Sequence, residues 1–493
     1  MIEAKLGRVR KPGGRGLALY TSVTSQILSL ARNVVVARLL GPEEFGLAAA
    51  VILAMGFLES FSNAGPQNLL IQAKDKDVRP HLAAAHAVTL SRGLATGLLL
   101  LATAIPLSSF LGLRFGWPAV GLLAASALFS GFLHRGARLV QRDGDFRPDS
   151  ITQLSGDIAA LVVAILVASI SHSHIAIVFA LAAKSATSTI MSHFLAPQQY
   201  EISWSRNLLQ RFWIFGWPLL INGPLLFLSS QADRVFISRE LGVAALGTYS
   251  AVLVLIMSPS NAILRWLGTI YMPRLSRNFH QVGNLKDVGV VFNYSAMMLL
   301  LGTIMFLGFA ILGDFVVHIL YGSRYEMPAF LIALIGCLQI FRFLRAWPST
   351  LALSAAASAG ILVSTIVRLM ALPMGYLGML VIGGLPGLLS GFIVGEAIAL
   401  LVNLAIINRA SGRSRFSGFG AVGVFSCIAC GVIVVMANAP PSLLVSCGLF
   451  GIAALAACAL MLISISPVEA RHRLRVARSA FGRALKGRWM SKL

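Results

Sequence analysis

Apolar residues fall along the chain in about fourteen runs, separated by short polar links of at most about 20 residues. They lie near 17–40, 46–72, 81–106, 118–140, 151–171, 174–196, 212–233, 244–270, 288–312, 327–347, 355–376, 378–407, 418–438 and 442–466. A helix needs about 20 apolar residues to cross a bilayer, and within lipid a helix satisfies its own backbone polar groups. The pattern predicts an all-α polytopic membrane protein with about 14 transmembrane helices and no soluble domain on either side.

One phrase occurs twice. Arg38-Leu39-Leu40-Gly41 through Gly46 and Arg239-Glu240-Leu241-Gly242 through Gly247 both read R-x-L-G-x-x-x-x-G, offset throughout by 201 residues. Each copy closes one apolar run and opens the next, and glycine suits the tight turn between two spanning helices. Duplication accounts for this better than chance. The expected plan is a basic N-terminus over 1–16, a six-helix lobe over 17–196 and a second over 211–407. Two extra helices over 418–466 and a basic tail over 467–493 complete it. Because runs 1 and 7 cross in the same direction, the lobes are parallel repeats, a plan common among secondary transporters.

Composition agrees: 57% of residues are hydrophobic and 12% charged, against about 25% charged in soluble domains. The net charge of +22 belongs to topology. With a cytoplasmic N-terminus, 31 basic residues fall on the cytoplasmic side and only Arg114, Arg234, Arg239 and Arg324 on the other, as the positive-inside rule requires. No platform of aromatic and basic residues for nucleic acid accompanies the charge. The basic start resembles a signal peptide, but the run after it is long, holds Arg32 and lacks an early small-x-small site, so it reads as a retained first span. The five cysteines lie in apolar runs; Cys427-x-x-Cys430 has redox spacing but no second pair or nearby histidine, so packing accounts for it. The histidines are scattered, and neither a metal site nor a cofactor is expected.

Charges inside the apolar runs are the candidate chemistry, since each is costly in the bilayer without a partner or a watery cavity. They are Arg32, Glu59, Arg92, Asp157 and Lys184 in the first half, and Arg368 and Glu396 in the second. In one reading Arg32, Arg92, Lys184 and Arg368 line a central cavity for an anionic group, since guanidinium forks match phosphate. Glu59, Asp157 and Glu396 would then balance charge or take up a coupling proton. In the other reading these are ion pairs, such as Glu59 with Arg32, that only hold helices together. Arg38 and Arg239 sit at the outer interface, where snorkelling or capping a helix end also explains them.

Gly383, Gly387, Gly391 and Gly395 recur every fourth residue, a ridge for close helix contact. Asn222-Gly223-Pro224 marks the expected break in run 7. In the tail, Leu474, Ala477, Phe481, Leu485 and Trp489 lie at helical spacing among eight basic residues, as in an amphipathic helix on an anionic leaflet; a disordered basic tail is the alternative.

Ala31-Arg32-Asn33-Val34-Val35-Val36-Ala37-Arg38 through Gly46, followed by Asn63-Ala64-Gly65-Pro66-Gln67-Asn68, resembles the bacterial polysaccharide-export flippases of the multidrug/oligosaccharidyl-lipid/polysaccharide exporter superfamily. Gln231-Ala232-Asp233-Arg234 through Gly242 looks like that family's second-lobe signature. The specific motifs cover about the first 75 residues and 210–275. The resemblance implies alternating access between two lobes and outward movement of an undecaprenyl-diphosphate-linked oligosaccharide across the inner membrane, both termini being cytoplasmic. The sister lipid II flippases carry S-R-x-L-G-x-x-R in their first span. Here Ser25-Gln26-Ile27-Leu28-Ser29-Leu30-Ala31-Arg32 keeps only the second arginine, which argues against lipid II as cargo.

The implied partners are the lipid-linked oligosaccharide, the bilayer, and a polysaccharide polymerase and chain-length regulator. A flippase of this kind changes no covalent bond and is not an enzyme. The alternatives are a small-molecule (drug) exporter on the same scaffold, whose cationic cargo a basic cavity would repel, and a membrane-embedded polymerase, which needs a large external catalytic loop that the sequence lacks.

Overall fold

The structure is a computed structural model that describes residues 14–60, 78–110, 117–142, 145–282, 288–354, 365–410 and 425–426. Every regular element among them is helical. In chain order they are α1 (Gly14–Leu40), α2 (Pro42–Ser60), α3 (Val78–Phe110), α4 (Trp117–Gly131), α5 (Gly136–Arg142), α6 (Arg147–Ser171), α7 (Ile175–Leu195) and α8 (Arg206–Phe236). A π turn (Ile237–Leu241) leads into α9 (Val243–Val282), followed by α10 (Val288–Tyr321), a 3-10 turn (Ser323–Tyr325), α11 (Ala329–Ser354), α12 (Ala371–Ile382) and α13 (Gly384–Ala410). Among the described residues nine helices are long and apolar enough to span a membrane. Run 13 apart from residues 425–426, run 14, the basic tail, the 1–13 segment, the Asn63–Asn68 motif and the Cys427/Cys430 pair lie outside the described residues.

The chain divides into two compact units that do not follow chain order. The first comprises Met1–Arg265, Phe315–Met327 and Gly375–Leu389, and the second Trp266–Asp314, Pro328–Met374 and Ser390–Leu493.

Small residues build the first unit, as expected where lipid removes the hydrophobic drive between helices and close packing must replace it. Ala160, Ala164 and Ala168 of α6 and Ala176 and Ala180 of α7 are fully buried. A Cβ on Gly93 of α3 would lie 2.7 Å from the Cα of Gly131 of α4. Larger side chains fill the space between helices, with Val51, Met55 and Leu58 of α2 packing with Leu100 of α3, Leu123 of α4 and Val178 of α7. In the second unit Trp347 of α11 is fully buried and donates its indole N–H to Ser295 of α10 at 2.6 Å.

Several expected boundaries move. The run at 118–140 is not one helix: α4 stops at Gly131, a turn follows, and α5 is a separate short helix. The turn is held by His134, which accepts the Gly136 N–H at its Nδ1 and bonds the Gln198 carbonyl at its Nε2. No break occurs at Asn222-Gly223-Pro224, because α8 runs through it. Glycine is required there by contact, since a Cβ on Gly223 would sit 2.2 Å from the Ser60 carbonyl oxygen. The helix expected at 378–407 begins only at Gly384, because Gly383 (φ +91°) and Gly384 (φ +54°) form the turn after α12. Gly383 therefore leaves the glycine ridge. Finally, α11 extends to Ser354, past the end expected at 347, so Arg342 and Arg345, two of the 31 cations counted on the cytoplasmic side, lie well inside a helix.

Candidate functional site

The repeated phrase forms a pair of turns in the first unit. Gly41 ends α1 with φ +80°, Pro42 opens α2 with its φ already helical, and Glu43 and Glu44 lie at the positive helix N-terminus. In the second copy the π turn precedes Gly242, whose φ is +87°. The later glycines meet each other. A Cβ on Gly46 would fall 1.8 Å from the Val243 carbonyl oxygen, and one on Gly247 would fall 1.9 Å from that of Pro42. The first turns of α2 and α9 thus cross backbone to backbone, a contact only glycine permits. The two arginines diverge. Arg38 donates its Nε to the Leu320 carbonyl at 2.7 Å and its Nη2 to that of Ile319, capping the end of α10, while Arg239 pairs with its neighbour Glu240 at 3.5 Å.

Glu44 ties the first turn to another. It accepts hydrogen bonds from the His174 backbone N–H at 2.7 Å and ring Nδ1 at 2.8 Å, just ahead of α7. Burial alone would raise the Glu44 carboxyl; these bonds outweigh it and hold the group below the usual carboxylate value.

All five charges expected within the first half gather in the first unit. Asp157 of α6 is buried, with Oδ1 2.7 Å from Lys184 Nζ of α7 and Oδ2 accepting from Ser25 Oγ of α1 at 2.5 Å. Gln153, four residues earlier on the same helix face, donates to Ser25 at 3.1 Å. Lys184 can reach Asp157 because α6 and α7 approach closely at Gly156, where a Cβ would meet Ser188 Oγ at 2.1 Å. Arg32 lies within electrostatic reach of Asp157, and its buried Nε has no hydrogen-bond partner among the described residues. Glu59 of α2 lies within electrostatic reach of Arg92 of α3 and of Lys184. The result is a relay, Arg32–Asp157–Lys184–Glu59–Arg92, with three cations to two anions. The suggested Glu59–Arg32 pair is replaced by Glu59 with Arg92 and Lys184.

The second unit holds a tighter group. Glu396 of α13 is fully buried and faces three guanidiniums: Arg342 and Arg368 with Nε 3.2 Å from Oε1, and Arg345 with Nε 3.3 Å from Oε2. Arg342 and Arg345 stand one turn apart on α11 and so share a face. The backbone approaches where a Cβ on Gly395 would lie 2.4 Å from the Cα of Ala371. Sequence reasoning singled out Arg368 and Glu396 but counted Arg342 and Arg345 only among the cytoplasmic-side cations; their i, i+3 spacing within an apolar context was the available signal.

A ring cluster was also missed. His86 stacks on Tyr200 with centroids 4.3 Å apart, and His134 lies 4.7 Å from His86 and 5.3 Å from His193. Their nitrogens bond backbone: His86 Nδ1 the Glu201 carbonyl at 2.9 Å, and His193 Nε2 that of Phe132 at 2.9 Å. Burial, chiefly, pushes His134 below the ordinary histidine value. No group of three or more His, Cys, Asp or Glu side chains suited to a metal ion occurs among the described residues.

Among curated proteins, the chain is 21% identical over 319 residues to an uncharacterized membrane protein in the cps region of Klebsiella pneumoniae, covering 62% of this chain and 63% of that one. It is 24% identical over 303 residues to the succinoglycan biosynthesis transport protein ExoT of Rhizobium meliloti (strain 1021), covering 59% and 58%. The chain thus spans less than two thirds of the length of these relatives. The fold is similar to that of the lipid II flippase MurJ in its inward closed conformation, with TM-score 0.67 at 11% identity over 92% of this chain and 99% of that one. It is also similar to an inward-facing multidrug resistance MATE family transporter of the MOP superfamily, with TM-score 0.63 at 14% identity over 80% and 99%. These likenesses establish the fold of multi-pass membrane transporters. The polysaccharide biosynthesis protein family model matches residues 35–329, more than half of the chain, so this membrane protein belongs to that family.

Proposed function

We propose that the protein is a flippase that moves an undecaprenyl-diphosphate-linked oligosaccharide repeat unit outward across the bacterial inner membrane, for exopolysaccharide, capsule or O-antigen synthesis. The observation that supports this reading is the excess of cations over carboxylates in the two charge groups found among the described helices of a chain of this family. Such an excess suits a diphosphate, whose charge and geometry match guanidinium forks. In this reading Arg32, Arg92, Lys184 and Arg368 attract the diphosphate, while Glu59, Asp157 and Glu396 balance charge or couple transport to an ion gradient. Two six-helix lobes, 17–196 and 211–407, alternate access, and the turns at Arg38–Gly46 and Arg239–Gly247 join successive helices. Both termini face the cytoplasm, and a polymerase and chain-length regulator act on the delivered units.

The test is lipid analysis in a deletion strain complemented with wild type, Arg32→Ala or Arg92→Ala, with protein levels checked. Lost surface polymer together with intact lipid-linked units facing the cytoplasm is the expected result for the deletion and for both variants. Unchanged polymer in the deletion overturns the reading in favour of drug export. Single units accumulating on the outer face would assign the protein as a polymerase.

A further inference from the structure

Two histidines of the ring cluster bridge the same two stretches of the first unit. His86 Nδ1 bonds the Glu201 carbonyl at 2.9 Å, and its Nε2 accepts the Arg135 backbone N–H at 3.1 Å. His134 Nε2 bonds the Gln198 carbonyl at 3.0 Å, and its Nδ1 accepts the Gly136 N–H at 2.9 Å. Each ring therefore meets a carbonyl of the 196–205 connector, between α7 and α8, and an N–H where the chain turns from α4 into α5. A carbonyl requires a donor and an N–H requires an acceptor. The partners thus assign both rings as neutral, in opposite tautomers: Nδ1–H in His86 and Nε2–H in His134. A proton on either ring converts its accepting nitrogen into a donor aimed at a backbone N–H, and that bridge fails.

The surroundings oppose protonation further. His86, His134 and Arg135 are all buried, and the guanidinium of Arg135 acts on His86 as a like charge. Burial, and after it His193, hold His134 below the ordinary histidine value. The other titratable or charged groups around the rings are His193 of α7, Tyr200 of the connector, the exposed Glu201 and, earlier on α3, the buried His81. From α5 and α8 the apolar Leu139 and Leu208 pack at this end of α3. Protons can arrive by way of His193, which is exposed and 5.3 Å from His134 between ring centroids. The connector has no helix or strand of its own. Beyond the two bridges, Tyr200 stacks on His86 and the Ser203 N–H reaches the Ala83 carbonyl at 3.1 Å.

We propose that His86 and His134 form an acid-sensitive latch, which holds the connector against the turn between α4 and α5 while both rings are neutral and releases it when either takes a proton. The sign follows from the neutral forms being the latched ones. The latch is closed above the ordinary histidine value of about 6.5, at which the released rings titrate, and weakens as pH falls below it. It does not depend on the flippase reading; in that reading the connector joins the two lobes, and its release puts their movement under the control of pH.

The experiment is hydrogen–deuterium exchange on the full chain in phosphatidylcholine nanodiscs at about pH 7.5 and about pH 5. Protection factors are compared, so that the intrinsic pH dependence of exchange cancels. Wild-type peptides covering 132–136 and 197–205 are expected to lose protection together, at least tenfold, while the α6 peptide holding Ala160 and Ala164 keeps its own. The double variant His86→Asn, His134→Gln offers an amide donor to each connector carbonyl but cannot titrate, and is expected to change less than twofold. Protection that does not move with pH in wild type overturns the proposal. So does an equal loss in the double variant, which would place the titrating group elsewhere. If the double variant does not fold, nitrogen-15 NMR of the wild-type histidine rings decides. It should show His86 and His134 as opposite neutral tautomers at the higher pH, turning to imidazolium in step with the loss of protection. Rings that share a tautomer, or that stay neutral while the connector loosens, overturn the latch.

Discussion

The two units solve the problem of charge in a membrane differently. In the first, five ionisable side chains on α1, α2, α3, α6 and α7 form an extended relay, and Asp157 is also held by the hydroxyl of Ser25. In the second, one carboxylate carries three guanidiniums. Within the relay Asp157, Lys184 and Glu59 each lie near two charged groups, whereas all three guanidiniums of the second group meet the same carboxylate.

The contrast orders the expected effects of substitution. Glu396→Leu should be the most disruptive, leaving three buried guanidiniums without a carboxylate. Removing one partner of a buried pair costs about 3–5 kcal/mol, so thermal unfolding of the purified protein should show a large drop in Tm. A smaller drop than for Asp157→Asn would break the comparison. Asp157→Asn keeps an oxygen for Ser25 and should cost about 1–3 kcal/mol, the range for a compromised buried hydrogen bond. Lys184→Met should cost about 1 kcal/mol or less, because the Lys184 side chain is 43% exposed and Ser25 still donates to Asp157.

The smallest effect belongs to Glu44, outside both groups. Its carboxyl is held below the ordinary value by bonds from His174, so it contributes stability above its unfolded pKa, and that contribution is lost as pH falls through its folded value. Glu44→Gln should therefore lower Tm slightly at pH 7, with the difference from wild type vanishing in acid once the pH falls below the depressed folded value. A difference that persists there would assign the effect to packing.

Much of this was legible in the sequence. Apolar run length fixed the helical class, and the paired R-x-L-G phrase located the turns at Gly41 and Gly242, because a positive φ favours glycine. The intramembrane charges were readable one by one, since any charge in an apolar run stands out. Their partners were not: Asp157 meets Lys184 across 27 residues and Glu396 meets Arg342 across 54, separations that no local pattern encodes. Arg342 and Arg345 fall near the end of the run expected at 327–347 and were counted with the cytoplasmic-side cations, because the helix was expected to stop at 347 rather than at Ser354. In the fold Glu396 offsets part of their burial cost, so the helix continues. The contact of Gly46 with the backbone of α9 was equally hidden, since the turn explains Gly41 but only tertiary packing explains Gly46.

The central claim, that buried cations serve the movement of a lipid-linked diphosphate, is tested most directly in proteoliposomes. A prenyl-diphosphate-linked oligosaccharide is placed in one leaflet, and its arrival in the other is followed by a membrane-impermeant glycosidase or lectin. The account predicts flipping by wild type that inorganic pyrophosphate inhibits, and at least a tenfold slower rate in Arg32→Gln and Arg92→Gln proteins that remain folded. Wild-type rates in both variants, or no flipping above protein-free vesicles, would contradict it.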